Sequence, residues 1–206
     1  GLIRYINTKT LTCQLLAACG MPIVFGIVRD NRDDHMDKCR RALETTYMVM
    51  ISGGSSLVAR DFTVEVLDAL PDTAILVHGI SISPGKPTIL ARSSGKAFWG
   101  LPGHAVSAMV VFAVVVRPFL DRLCGLSQTV RQFPVQAVLN RNLASAQGRV
   151  DYVRVRLVEV DGQPMAEPVL GKSGLINTMV KADGLIAIGM NTEGLEQGTT
   201  VEVIPL

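Results

Sequence analysis

The stretch YMVMISGGSSLVARDF, residues 47–62, decides the fold. An apolar run of strand character stops at two glycines and two serines, and an aspartate follows just ahead of the next helical pattern. Adjacent glycines let backbone amides turn toward an anion, and serine hydroxyls add donors. Gly53, Gly54, Ser55 and Ser56 therefore read either as a cradle for a phosphate or a pterin edge, or as an ordinary strand-to-helix turn. Asp61 is open in the same way. It can serve as a Mg2+ ligand facing a bound phosphate, or as a plain helix N-cap.

The neighbouring segments repeat the pattern. Asn7 caps a helix expected from Thr8 to about Ala18, and Gly20 stops it. MPIVFGIVRD (residues 21–30) reads as a buried strand, and DDHMDKCRRALETT (residues 33–46) as an amphipathic helix with its acidic residues first, the order that the helix dipole favours. Asp61 heads a helix to about Leu70, and AILVHGI (residues 74–80) is a further strand. Strand and helix alternating at short spacing predict an α/β, three-layer domain with a mostly parallel sheet, and ligands in such sheets sit at the carboxyl ends of the strands. A long helix is expected over residues 105–124, interrupted near its end by Pro118. Beyond Gly125 the texture changes to short alternating strands separated by Asp-Gly, Gly-Lys and Glu-Gly turns. The expected organisation is an α/β domain over residues 1–126 and a small all-β, β-barrel-like C-terminal domain over residues 127–206. An α/β domain normally opens on a strand and this chain opens on a helix, so its first strand is expected to be missing.

Composition narrows the function. Apolar residues make up 48% and aromatic residues 5%, so the core must be aliphatic. The formal charge of +2 is spread along the chain, which argues against nucleic acid or a membrane as partner and leaves room for a small anionic ligand. The most apolar segment, residues 108–116, is too short to span a bilayer. Cys13, Cys19, Cys39 and Cys124 form no CxxC pair and no metal-ligand spacing, so reduced thiols and a cytoplasmic location are expected.

Two further loops carry candidate chemistry. SPGKP (residues 83–87) holds Lys86 in a stiff loop, where a cation loses little freedom on meeting an anion. It is not a phosphate-binding loop of the Walker type, because Ile80 and Pro87 stand where glycine and Ser/Thr are required. LPGHAVS (residues 101–107) ends a strand and opens the long helix, leaving first-turn amides for a second possible anion site. His104 is a ligand contact or only a cap-region side chain. Arg149 and Arg154, in a strand-like run, read as surface or strand-pair residues unless that module faces the cleft, and Trp99 as packing.

In order, the motifs are GLIRYIN, GIVRDN, SGGSSLVARDF, PGKP, LPGHAVSAMV with a helix bearing RPFL, GRVDYVRV, SG and KADGL. This series, running from Gly1 to Leu206, closely resembles the molybdopterin molybdenumtransferase family of MoeA/gephyrin type, over its molybdopterin-binding α/β domain and its C-terminal β domain. The resemblance implies insertion of molybdate into adenylylated molybdopterin, with Mg2+ and release of AMP, by a homodimer. It implies that Gly53, Gly54 and Ser56, with Ser55 between them, form the phosphate-side loop. Asp61 would be the metal or substrate-polarising residue. Pro84, Gly85, Lys86 and Pro87 match the PGKP loop, with Lys86 meeting phosphate or molybdate. Pro102, Gly103, His104 and Ser107 fall on the LPGNPxS loop, and Arg149 and Ser173 match positions of the C-terminal domain that look onto the cleft.

The chain departs from the family pattern at several of these positions. Val58 replaces a loop glycine, Ser83 a lysine, His104-Ala105 an Asn-Pro pair, and Tyr5 an aspartate. A valine adopts positive φ less cheaply than glycine, and a lost cation weakens anion binding. These departures keep open a divergent, non-catalytic molybdopterin-binding or scaffold paralogue. The family's Gly-Asp-Glu strand and two further domains are expected ahead of Gly1, and without them this chain alone should be a poor catalyst. A CinA-type relative ranks last, because its GGLGPTxDD loop is not what residues 53–61 show.

Overall fold

The computed structural model describes residues 6–28, 31–53, 62–126 and 133–206. The chain divides into two compact units: residues 1–80 with 85–112, and residues 81–84 with 113–206.

In the first unit, helix α1 (Ile6–Ala17) is followed by α2 (Arg32–Thr45), strand β1 (Met48–Ser52), α3 (Phe62–Ala69) and strand β2 (Thr73–His78). The Asn31 side chain caps α2 by accepting from the Asp34 amide at 2.8 Å. Strand β4 (Ile89–Ser93), β5 (Lys96–Leu101) and helix α4 (Ala105–Val111) complete the unit. The sheet runs β1-β5-β4-β2. Cys39, Ala42 and Leu43 of α2 and Val66, Leu67 and Leu70 of the α3 region form one core with Val49, Ile89, Ala91 and Phe98 of the strands. Trp99 and Leu101 are buried as well, so β5 is covered on both faces. Helix α1 packs on α4, where the Gln14 side-chain amide donates to the Met109 carbonyl at 3.1 Å.

Two expectations are corrected here. The sheet is mixed rather than mostly parallel: β1 and β5 are parallel, but β5–β4 and β4–β2 are antiparallel. The cause is connection length, because a parallel pair needs a crossover of roughly a dozen residues or more. Strands β4 and β5 are joined only by Ser94 and Gly95, at φ +50° and +73°, the left-handed pair that a two-residue hairpin requires. The stretch read as a buried strand in residues 21–28 has no regular structure. Met21 is 92% exposed there, and Ile23, Val24 and Ile27 are exposed too, while Phe25 packs against the core.

The helix expected over residues 105–124 is broken into three parts: α4, a π-helical turn at Phe112–Val116, and α5 (Arg117–Leu123). Pro118 lies in the first turn of α5. Its ring crowds the carbonyl four residues back, so the helix widens upstream of the proline, where it can shed that hydrogen bond.

The second unit is built on a closed ring. Strands β6 (Val135–Leu139), β8 (Val150–Val160), β9 (Gln163–Pro168), β10 (Gly184–Ile188) and β12 (Thr200–Pro205) pair as β10-β12-β6-β9-β8, and β8 pairs back to β10. Ala137, Leu139, Val155, Ala166, Ile186, Ile188, Val201 and Val203 fill it. Short strands β7 (Leu143–Ala144) and β11 (Gly194–Leu195) pair together, and α6 (Asn177–Val180) precedes β10. Strand β3 (Ile82–Ser83) joins this unit by pairing in parallel with the start of β8, Ser83 opposite Asp151.

Candidate functional site

In the first unit the site begins where β1 and β5 end side by side. Their register pairs Ser52 with Leu101, so the chain leaves the sheet at one end on both strands. Gly53 turns at φ +94° and donates its amide to the Leu101 carbonyl at 3.2 Å. Gly103 lies against it: a Cβ on Gly103 would come 3.5 Å from the Gly53 Cα. The Asn7 side chain of α1 donates to the Gly103 carbonyl at 2.8 Å and holds the second loop in place. Pro102 and His104 flank Gly103. His104 is the N-cap residue of α4 with extended backbone, and its side chain does not cap the helix. Ser107 is buried in the first turn of α4. The arrangement leaves glycine backbone and helix-start amides at the carboxyl end of parallel strands, a place suited to an anionic ligand. Gly54, Ser55, Ser56 and Asp61, together with Val58, lie outside the described residues.

The PGKP loop is closed by two backbone hydrogen bonds, Gly79 to the Thr88 carbonyl at 2.8 Å and Ile80 to the Lys86 carbonyl at 2.9 Å. Gly85 is buried at φ +132°, Lys86 is exposed and Pro87 half-buried. The peptide bond between Ser83 and Pro84 is cis. The Thr88 hydroxyl, fully buried, donates to the Gly85 carbonyl at 2.7 Å. Lys86 thus rides on a loop fixed from inside, so its ammonium is presented without the loop having to order on binding. Pro84 belongs to the second unit and Gly85, Lys86 and Pro87 to the first.

In the second unit Arg149 sits just ahead of β8. Its Nε donates to Asp151 Oδ1 at 2.8 Å and its Nη2 to Oδ2 at 3.3 Å. The Ser145 hydroxyl donates to the same carboxylate at 2.7 Å, and the Ser83 hydroxyl bonds to it as well. Burial alone would push the Asp151 carboxyl up, but the bonds from Ser145, Arg149 and Ser83 and the Arg149 charge outweigh it, so the carboxyl titrates below its ordinary value. Arg154, expected at the surface or in a strand pair, lies in the β8–β10 pair opposite Leu185 and is buried there, its Nη2 donating to the Gly171 carbonyl at 3.0 Å and its Nε toward Val169. That pins the segment leading to Ser173, which is half-buried before α6. Arg149 and Ser173 stand in different loops of the unit.

Four positions escaped the sequence reading: Thr88, Ser145, Asp151 and the clamp made by Arg154. Thr88 directly follows the PGKP loop, and Asp151 stands two residues after Arg149, so both had a local signal. Ser145 had none. Among the described residues no group of three or more His, Cys, Asp or Glu is placed to hold a metal ion.

Comparison with known proteins gives these positions their context. Residues 1–122 match the family model of the probable molybdopterin binding domain, and residues 136–206 match that of the MoeA C-terminal region, domain IV. The molybdopterin molybdenumtransferase of Haemophilus influenzae is 30% identical over 204 residues, covering 97% of this chain and 50% of its own. That of Bacillus subtilis is 25% identical over 205 residues, covering 99% and 47%. Among solved structures, a molybdopterin biosynthesis MoeA protein from Pyrococcus horikosii superposes with a TM-score of 0.81 at 31% identity, over 97% of this chain and 47% of that one. The chain spans about half the length of the curated relatives it matches. A fold shared across both units, and family models covering nearly all of its residues, make this chain a member of the MoeA/gephyrin-type molybdopterin molybdenumtransferase family.

Proposed function

We propose that this chain binds molybdopterin through the loops at the carboxyl ends of β1 and β5. It would act in molybdenum cofactor biosynthesis, in the insertion of molybdate into adenylylated molybdopterin with release of AMP. The observation that carries the reading is the approach of Gly103 to Gly53, where only glycine backbone separates two loops at the ends of parallel strands. A phosphate there would meet the first-turn amides of α4, and a side chain on Gly103 would reach toward the Gly53 backbone. Lys86 supplies a cation on a preset loop. A Mg2+ ion held by Asp61 and ligand oxygens, and assembly as a homodimer, belong to the same reading. Magnesium dialysis against Asp61→Asn and sedimentation equilibrium check these two parts.

Calorimetric titration with molybdopterin and its adenylylated form tests the proposal. Binding that Lys86→Ala and Gly103→Val each weaken by about tenfold or more, with melting temperature unchanged, supports it. A folded chain that takes up neither ligand sinks it. A second reading, binding without turnover in a divergent paralogue, is favoured by His104-Ala105 and Ser83 at the two loops. It predicts molybdopterin binding with no AMP release when molybdate is added.

A further inference from the structure

Asp151 is 9% exposed, and its carboxylate gathers donors from three residues on two separate pieces of chain. Ser145 bonds it at 2.7 Å, Arg149 spans both of its oxygens at 2.8 and 3.3 Å, and Ser83 reaches it across the β3–β8 pairing. A carboxylate has about four acceptor sites, so this one is saturated and fixed. The Arg149 side chain is still 45% exposed. Two of its N–H groups are spent on Asp151, and the remainder stay available to an oxyanion in a planar array whose orientation is already set. Ser83 immediately precedes Pro84, so the same carboxylate anchors the start of the PGKP loop.

We infer that Asp151 is a positioning residue: it presets Arg149 as an oxyanion contact and ties that contact to Ser83 of the same unit. The inference rests on the proposed molybdopterin reading, whose phosphate, or the incoming molybdate, would be the anion met. An arginine held by a fixed carboxylate gives up less side-chain freedom on binding than one that swings in solvent, so loss of Asp151 should act through Arg149 and not beside it.

The test is a double-mutant cycle on molybdopterin affinity with Asp151→Asn and Arg149→Ala, alongside NMR of the Arg149 Nε–Hε group titrated with inorganic phosphate and, separately, molybdate. Asp151→Asn should weaken molybdopterin binding by about tenfold, Arg149→Ala by a similar factor, and the double variant no further. Ser145→Ala, which removes one bond but leaves the ion pair, should change affinity less than about threefold. If Asp151→Asn fails to fold, Asp151→Glu replaces it in the cycle. Full affinity in the Asp151 variant, or two losses that multiply, would overturn the inference. If the unaltered chain binds no molybdopterin but phosphate or molybdate shifts the Arg149 signal in it and not in the Asp151 variant, the molybdopterin proposal fails and the positioning role stands. No such shift with either anion overturns both.

Discussion

The buried hydroxyl of Thr88 donates to the carbonyl of Gly85 at 2.7 Å, inside a loop already closed by backbone bonds at Gly79 and Ile80. A loop ordered in this way owes its shape to one side chain that faces inward, while the lysine it displays faces out.

Thr88→Val keeps the volume and removes the donor, leaving the Gly85 carbonyl buried without it. A loss of about 1–3 kcal/mol is expected, read by urea unfolding of the variant against the parent. Thr88→Ser restores the hydroxyl and should recover most of the difference. Limited proteolysis with a protease of broad specificity should cut the Val variant faster within residues 79–88.

Gly53 and Gly103 lie close together, yet they should respond differently to alanine. Gly53 holds φ +94°, which costs an L-residue about 1–2 kcal/mol. At Gly103 the added methyl meets only ordinary contact at 3.5 Å, so Gly103→Ala should shift stability by less than about 0.5 kcal/mol. Thermal melts of the two variants check the contrast. Equal losses would mean that the close approach, and not the backbone angle, governs both sites.

Asp151 titrates below the ordinary aspartate value of about 3.9. The stability it contributes is therefore fully present above that value and is lost as pH falls through its lower folded value. The gap in unfolding free energy between the parent and Asp151→Asn should stay constant from pH 7 to about pH 5 and close below about pH 4. A gap that persists at acid pH would show that the loss comes from packing and not from the charge.

Cys39 is buried in the α2–α3 core and burial pushes its thiol up to about 11, whereas Cys13, Cys19 and Cys124 are exposed. A chromogenic disulfide reagent at neutral pH should label those three quickly. The fourth should react only on unfolding, because the thiolate is the nucleophile. Mass mapping of a partly labelled sample identifies which cysteine lags.

Local signals carried much of the fold and longer-range ones did not. The strand at Met48–Ser52, the helix heralded by Asp33 and Asp34, and the Asp161-Gly162 turn all follow from neighbouring residues. The Ser94-Gly95 hairpin was legible in the same way but was overlooked, and with it the antiparallel half of the first sheet. MPIVFGIV misled for a physical reason. An apolar run reports what a segment would bury, not whether a strand edge lies beside it. The glycine pair at the ends of β1 and β5 was predicted as two separate loops; their contact depends on a parallel register between residues about fifty positions apart. The Asp151 cluster joins Ser83 to a strand nearly seventy residues later, a separation that no windowed pattern can see.

The chain passes between its two units three times, because residues 81–84 belong to the second unit while the residues on either side belong to the first. The units are therefore not separable modules. A single cut at the π-helical turn would leave the later piece without β3, and Asp151 without its Ser83 bond. A gene truncated to encode residues 113–206 alone would yield a barrel with an open place beside β8, and adding a synthetic peptide spanning residues 79–88 should fill it. During synthesis, likewise, β3 emerges from the ribosome long before the strand it pairs with, so Ser83 meets Asp151 only once β8 has been made.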